Sequence, residues 1–166
     1  MLCYKQKHLF ILYKEVFFMY KDLQAGDIIG VKRFLYSHYA VYVGDNTVIH
    51  YSGEKGDFVG KKTVRYGTMN EFLDGKKEFF ELVFPQEHQK PDKEARYETQ
   101  SITYKLYSPE ETVLRAKSRI GEDKYNLALN NCEHFAIWCK TGVSESYQVK
   151  RVLSGVVKIV EKMYNV

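Results

Sequence analysis

At 166 residues and a net charge of +4, the chain is the size of one domain, and its three cysteines are too few and too unevenly placed for a disulfide framework. This cysteine usage favours a reducing, intracellular setting, and neither a signal peptide nor an apolar run of about 18 residues, the length of a membrane-spanning helix, is present. The charge is +3 over residues 1–21 and +2 over residues 145–166 around a nearly neutral body, which fits an anionic membrane surface better than nucleic acid, although ordinary solvated lysines would give the same sums.

The first 21 residues form a basic and apolar extension, ahead of a predicted domain over residues 22–147. Lysines alternate in the extension with large apolar side chains, as in a short amphipathic helix lying on the domain or on lipid, but the periodicity is too irregular to decide. The domain is predicted to open with a strand over residues 27–32. A short basic loop at Lys32 and Arg33 then leads into the next element.

Residues 37–51 predict a β-hairpin. β-branched and aromatic runs flank Gly-Asp-Asn at residues 44–46, and these three residue types tolerate positive φ. A three-residue loop there would place His38 diagonally from His50 on one face of the hairpin, about 7–8 Å away at the backbone. A loop of two or four residues would send the two imidazoles to opposite faces, so this interpretation requires an odd loop.

The middle of the chain predicts short elements and then a helix. A strand over residues 63–66, one helical turn over 69–73 and a buried strand over 79–84 are predicted, with polar loops over 52–60 and 86–99.

A capping box at Ser-Pro-Glu-Glu, residues 108–111, opens a helix that is predicted to run to Ile120 and to stop at Gly121. The side of this helix predicted to pack in the core consists of Val113, Leu114, Lys117 and Ile120.

Candidate chemistry lies in residues 130–135, Asn-Asn-Cys-Glu-His-Phe. Two asparagines, which are good helix N-caps, precede Cys132, and the apolar run after it suits a buried helix that ends near Gly142. Cys132 would then lie in the first helical turn, where backbone N–H groups and the positive end of the macrodipole favour a thiolate, the nucleophilic form of cysteine. Cys139 is predicted to be a core residue, and His134 to form a structural hydrogen bond.

Residues 148–166 form a predicted C-terminal amphipathic segment. Apolar side chains recur after Ser144 at spacings of three and four residues, which predicts a helix with one apolar side, interrupted by lysine and arginine. The apolar stretch from Val152 to Val160 would cover about 13 Å as a helix, less than half of a ~30 Å hydrocarbon core. Such a helix would lie on a bilayer or pack back on the domain.

The hairpin and cysteine motifs together carry a family resemblance. His-Tyr-Ala-Val-Tyr-Val-Gly-Asp from His38, a second histidine twelve positions on, and Asn-Cys-Glu-His-Phe from Asn131 resemble the lecithin:retinol acyltransferase domain family, in particular its phospholipase A and acyltransferase branch. The resemblance runs from about Leu23 to Tyr147. It implies an α+β, circularly permuted papain-like fold related to the NlpC-type enzymes, with an antiparallel sheet packed against helices and the nucleophilic cysteine at a helix N-terminus.

The same resemblance implies a site and a reaction. Cys132 would be the nucleophile, His38 its base and His50 the residue that orients the base; Arg33 and Asn131 are the candidates for binding substrate or the oxyanion. The implied enzyme is a phospholipase A and acyltransferase that takes an acyl group from a glycerophospholipid as a cysteine thioester and passes it to water, an amine or an alcohol. A cytoplasmic monomer with peripheral membrane contact is expected.

Other interpretations are weaker or stay open. His38, His50, Cys132 and His134 are permissible zinc ligands, but their spacings match none of the usual paired patterns, so no metal is predicted. No Gly-x-Ser-x-Gly elbow, phosphate-binding glycine loop or dinucleotide fingerprint occurs, and no cofactor is predicted. A cysteine peptidase or amidase of the same fold would use the same Cys–His pair, whereas a non-catalytic, membrane-associated regulatory protein would keep only the fold.

Overall fold

The computed structural model describes residues 23–53, 60–84, 104–126 and 130–144, together with the backbone of residues 157–162. The predicted N-terminal extension and the predicted polar loop over residues 86–99 lie outside these ranges. The centre of the predicted loop over 52–60 and most of the predicted segment 148–166 also lie outside them.

The described residues form an antiparallel sheet with three helices, an α+β arrangement that agrees with the predicted class. The strands pair in the order β4-β3-β2-β1-β5-β6. They are β1 (Ile28–Lys32), β2 (Ser37–Gly44), β3 (Thr47–Ser52), β4 (Thr63–Thr68), β5 (Glu78–Val83) and β6 (Val157–Lys162). The helices are α1 (Met69–Leu73), α2 (Pro109–Ser118) and α3 (Cys132–Thr141). None of the three is long and apolar enough to cross a bilayer.

Each face of the sheet packs against its own set of helices. Successive strand side chains point to opposite faces. Tyr39 and Val41 of β2 therefore join the apolar cluster around α3, whereas Ala40 joins a second cluster with Phe72 of α1. Alternate residues along a strand therefore pack against helices on opposite sides of the sheet.

The turn between β2 and β3 differs from the predicted three-residue loop. Asp45 and Asn46 form a two-residue turn with φ values of 48° and 58°. Between Tyr42 and Gly44 the register shifts at a β-bulge, which adds one residue to β2. The predicted loop length was therefore wrong. A two-residue turn alone would have turned the two histidines to opposite faces, but the extra residue of the bulge keeps both on one face.

Helix α2 begins at the predicted capping box but buries a different side from the predicted one. Leu114 and Ile120, predicted to pack in the core, are 65% and 42% exposed. Thr112 and Ala116 are the buried residues. These small side chains let α2 lie close to α3, and the Arg115 guanidinium stacks 3.8 Å from the ring centroid of the tryptophan in α3.

The C-terminal segment contains a strand where a helix was predicted. β6 pairs antiparallel with β5, from Glu78↔Lys162 to Val83↔Val157. Three of its six residues are valine or isoleucine, which favour strands, and they pair with a strand that would otherwise form the edge of the sheet. The helix prediction is therefore wrong for these residues.

Candidate active site

Cys132 is the first residue of α3, as the two asparagines before it predicted. Asn131 is the N-cap, and its Oδ1 accepts the backbone N–H groups of Glu133 and His134 at 3.0 and 3.1 Å. Gly142, with φ of 76°, ends the helix in the left-handed conformation that glycine favours. The Cys132 side chain, only 4% exposed, is thus held at the positive end of a helix that is capped at both ends.

His38 and His50 form a buried hydrogen-bonded pair. Nε2 of His38 lies 2.9 Å from Nδ1 of His50. The two rings also pack against Phe72, with centroid distances of 5.4 and 6.0 Å. The predicted hairpin register is therefore confirmed where it matters for the site, because it brings the two imidazoles together.

The sulfur of Cys132 lies beside the start of β2. Sγ is 4.0 Å from the carbonyl oxygen of Ser37, the residue before His38. Cys132 packs in the cluster around α3, whereas Phe72, against which both imidazoles lie, belongs to the cluster around α1. Cys132 therefore approaches the start of β2 from the α3 side. The side chains of His38 in β2 and His50 in β3 extend toward α1.

The surroundings of His38 keep its imidazole neutral. Burial lowers the pKa of His38 well below its ordinary value of 6.5, and the positive charges of His50, Arg33 and Lys62 lower this pKa further. The unprotonated ring is therefore the dominant form at neutral pH. That form is the one able to accept a proton from a thiol.

Arg33 contacts the end of α1. Its guanidinium donates to the carbonyl oxygens of Phe72 and Leu73 at 2.7 and 2.9 Å, groups that the end of a helix leaves without an intrahelical donor. The side chain thus ties the start of the β1–β2 turn to the element that packs on both imidazoles. Its predicted part in binding substrate or oxyanion stays a prediction.

The other two residues singled out in α3 lie where they were predicted. Nδ1 of His134 is 2.8 Å from Oδ1 of Asn131, so this histidine supports the N-cap. Cys139 is fully buried, and burial raises the pKa of its thiol. Its environment is therefore that of an apolar core residue.

A cavity of about 580 Å³ opens at Cys132. The surface of its walls is largely apolar, and Leu35, Tyr36, Lys62 and Asn131 line it together with the cysteine. Apolar ligands suit such a lining. Within the described ranges, no three histidine, cysteine, aspartate or glutamate side chains are grouped as metal ligands.

A polar network that the sequence analysis missed fixes the chain just before Cys132. Asn130 donates through Nδ2 to Glu122 Oε1 and to the Tyr51 hydroxyl, at 2.9 and 3.1 Å. Arg119 donates to the Glu122 carboxylate, with Nε–Oε2 of 2.6 Å, and to Asn130 Oδ1 at 3.1 Å. Tyr51 directly follows His50, so the network joins the histidine strand to the cysteine helix.

We expect Glu122→Gln to lower the free energy of unfolding by about 2 kcal/mol, the usual scale of a charge-assisted hydrogen bond. The hydrogen bond from Arg119 lowers the pKa of Glu122 from 4.5 to about 2, with Tyr51 and Asn130 adding to the effect and burial opposing it. A lowered folded-state pKa stabilises the fold above about pH 4.5, and this stabilisation is lost as the pH falls toward about 2.

The measurement is thermal unfolding of wild type and variant over that pH range. The difference in Tm should be largest at neutral pH and should shrink on acidification. Asp123→Asn is the matched control, because that carboxylate is 48% exposed and its ion pair with Lys61 lies at the surface. Equal losses of Tm in the two variants would contradict a special role for Glu122.

Gly67 is a further residue that the sequence analysis missed. A Cβ built at this position would stand 2.7 Å from Nε2 of His50. Position 67 in β4 therefore needs glycine to leave room for the imidazole. The predicted strand over residues 63–66 stopped one residue before Gly67, whereas β4 runs to Thr68, so the signal of a glycine inside a strand was missed.

Comparison with known proteins places the chain in a family. A family model described as Lecithin retinol acyltransferase matches residues 21–145. The chain is 32% identical over 129 residues to phospholipase A and acyltransferase 2 of Homo sapiens, over 75% of this chain and 74% of the relative. It is 30% identical over 139 residues to phospholipase A and acyltransferase 1 of Rattus norvegicus, over 77% of this chain and 74% of the relative.

A third relative is more distant. Identity to lecithin retinol acyltransferase of Homo sapiens is 26% over 145 residues, which cover 81% of this chain and 62% of the relative. The family match spans the sheet strands β1 to β5 and the whole of the cysteine helix. The chain belongs to the lecithin retinol acyltransferase family.

Proposed function

We propose that this protein is a thiol-dependent phospholipid acyl hydrolase or acyltransferase whose acyl group passes through a thioester on Cys132. The observation that carries the proposal is the His38–His50 pair, 2.9 Å apart on strands β2 and β3, with Cys132 Sγ 4.0 Å from the carbonyl oxygen of Ser37 at the start of β2. Relatives named phospholipase A and acyltransferase support the reaction class, and the largely apolar cavity at Cys132 suits an acyl chain. The proposal includes the circularly permuted papain-like fold that the sequence resemblance implies, and the antiparallel sheet packed against helices supports it.

In the first half-reaction His38 acts as general base. Because Nε2 of His38 is engaged with His50, Nδ1 is the nitrogen assigned to the thiol proton of Cys132. The thiolate attacks the ester carbonyl of a glycerophospholipid, and the tetrahedral intermediate collapses to a thioester. The leaving alkoxide of the lysophospholipid takes the proton back from His38.

The second half-reaction uses the same groups in the reverse direction. His38 removes a proton from water, an amine or an alcohol as that acceptor attacks the thioester carbonyl. The tetrahedral intermediate collapses, the C–S bond breaks, and the Cys132 thiolate takes the proton back from His38. His50 accepts the Nε2–H of His38 and so holds the useful tautomer. A neutral histidine stabilises the imidazolium less than a carboxylate would.

The capping of α3 limits which groups bind the oxyanion. The backbone N–H groups of Glu133 and His134 already donate to Asn131 Oδ1. The proposal assigns the oxyanion to the backbone N–H of Cys132 and the side-chain NH₂ of Asn131, because both residues line the cavity. One such donor is typically worth about 3 kcal/mol of transition-state stabilisation.

Detection of the acyl-enzyme tests the proposal. The protein is mixed with phosphatidylcholine, quenched in acid within the first turnovers and analysed by intact mass and peptide mapping. We expect a mass increase of one fatty acyl group on the peptide that contains Cys132. Fatty acid release without any adduct on that peptide, even at the shortest times, would refute the thioester. A peptidase or amidase of this fold would leave phosphatidylcholine intact.

The acid limb of the pH profile should lie below pH 6.5. The base must be unprotonated, and burial lowers the pKa of His38 well below 6.5, so protonation stops the reaction only at more acidic pH. The measurement is kcat/KM for a water-soluble short-chain ester against pH, with folding followed by circular dichroism. An acid limb at or above pH 6.5 in folded protein would rule out the buried His38 as the base.

A further inference from the structure

The turn between β1 and β2 exposes large apolar side chains to solvent. Phe34 is 97% exposed and Leu35 87% exposed, and Tyr36 beside them is 36% exposed. Residues 34–36 are the apolar tip. Single exposed apolar residues are ordinary on protein surfaces, but consecutive ones beside a cavity are typical of a binding surface.

The apolar tip is held in place by its flanking contacts. The backbone N–H of Arg33 donates to the carbonyl oxygen of Tyr36 at 2.8 Å, which closes the turn. The Arg33 guanidinium donates to the last carbonyls of α1, so the turn is tied to the body of the domain. The projection of Phe34 and Leu35 is therefore a built feature of the fold.

Two residues of the apolar tip also form part of the wall of the cavity at Cys132, whereas Phe34 lies outside that wall. Leu35 and Tyr36 line that cavity together with the cysteine. A partner that covers the tip would therefore cover the entrance to the proposed nucleophile. The tip and the site are parts of one continuous surface.

Cations lie next to the apolar tip. Lys32 is exposed at the end of β1, and Lys62 lines the cavity with its Nζ 4.3 Å from the ring centroid of Tyr125. Among the residues that line the cavity, Glu133 is the acidic one. Exposed apolar side chains flanked by lysines complement a bilayer, whose acyl layer accepts the former and whose anionic headgroups pair with the latter.

We propose that the apolar tip inserts into the surface of an anionic phospholipid bilayer, with Lys32 and Lys62 on its headgroups, so that the Cys132 cavity opens directly onto lipid. The inference rests on the proposed function, because it supplies the route by which a phospholipid reaches the thiol. The flanking lysines favour an anionic bilayer over a second copy of this basic chain, which would bring like charges together.

The test compares Phe34→Ser with Leu114→Ser in sedimentation with vesicles of equal parts phosphatidylcholine and phosphatidylserine. Leu114 is the matched control, because it is an exposed apolar residue on α2 outside the cavity wall. Phe34→Ser should weaken vesicle binding about tenfold, the usual effect of losing one buried apolar side chain, while Leu114→Ser binds like wild type. Hydrolysis of a water-soluble ester should be the same in all three proteins.

Phe34→Trp supplies a readout of insertion itself. Its fluorescence should move to shorter wavelength when vesicles are added, by more than the wild-type signal of Trp138 moves, because the new indole enters the acyl layer. Vesicles of phosphatidylcholine alone should bind the wild type more weakly. Equal binding to both vesicle types would overturn the role of the two lysines.

Other outcomes would overturn the docking itself. Vesicle binding by Phe34→Ser that equals that of the wild type would contradict insertion of the tip. A loss of vesicle binding in Leu114→Ser as large as that in Phe34→Ser would contradict it as well. Loss of wild-type self-association in Phe34→Ser, seen by analytical ultracentrifugation together with unchanged vesicle binding, would identify a second copy as the occupant of the tip. Cys132→Ala should bind vesicles normally, so failure of the acyl-transfer chemistry and failure of docking are separate results.

Discussion

Replacing Cys132 with alanine is expected to abolish acyl transfer, lowering its rate by at least roughly 10⁴-fold. The substitution removes the atom that carries the acyl group, so neither half-reaction has an alternative route. Alanine is a good helix former, and the Asn131 cap does not depend on the sulfur, so α3 should remain intact. The measurement is fatty acid release from phosphatidylcholine, with circular dichroism as the check on folding.

Cys139→Ala is the matched control for this variant. Cys139 lies in the same helix, is fully buried and has its thiol pKa raised by burial, so its sulfur only fills space. Its loss should cost about 1 kcal/mol of stability and leave a substantial part of the activity. Equal loss of activity from both substitutions would indicate that packing in α3, and not chemistry at Cys132, limits the reaction.

Local chemistry made the cysteine helix predictable. An asparagine before an apolar run is an N-cap signal that depends only on neighbouring residues, and Asn131 caps α3 as that signal predicts. The capping box at Ser108 opens α2 for the same reason. Where the donor and the acceptor are within four residues of each other, the sequence contains both halves of the interaction.

Register and partner choice were less predictable. The two histidines were correctly predicted to share one face of the sheet, but the predicted turn was wrong. The observed turn has two residues, and a β-bulge between Tyr42 and Gly44 compensates for its length. The network around Glu122 joins Tyr51 to Asn130, far apart in the chain, and no local pattern marks such a contact. Long-range hydrogen bonds of this kind follow from the fold and not from spacing.

Apolar periodicity misled the prediction where tertiary contacts decided the outcome. Valine and isoleucine near the C-terminus recur at helical spacings, yet Val157–Lys162 is a strand because β5 offers an edge to pair with. Deletion of residues 148–166 would therefore remove a strand of the sheet along with any lipid contact. The apolar tip is the more direct place to test membrane binding, because its side chains support no strand pairing.

His38→Ala is expected to be nearly as damaging as Cys132→Ala, with a loss of about 10³–10⁴-fold in kcat/KM. Without the imidazole the thiol has no base, and the leaving group has no acid. His50→Gln should be milder, about 10-fold to 100-fold, because glutamine still offers an acceptor to Nε2 of His38 but does not reproduce the geometry of the ring. The two variants are compared with wild type in the same phosphatidylcholine assay.

The relative losses of activity in the histidine variants identify which histidine is the base. His134 is the control, since it is buried in α3 and its Nδ1 contacts Asn131 Oδ1, so His134→Ala should weaken the N-cap and reduce activity only modestly. If His134→Ala were more severe than His38→Ala, the base would be assigned to the wrong histidine. The comparison is a strict test of His38, because His38 and Cys132 lie on opposite sides of the sheet. The ring of His38 lies against Phe72 on the α1 side of the sheet, whereas Cys132 reaches β2 from the α3 side. A large loss of activity in His38→Ala with unchanged folding would therefore show that the proton passes between them around the first residues of β2.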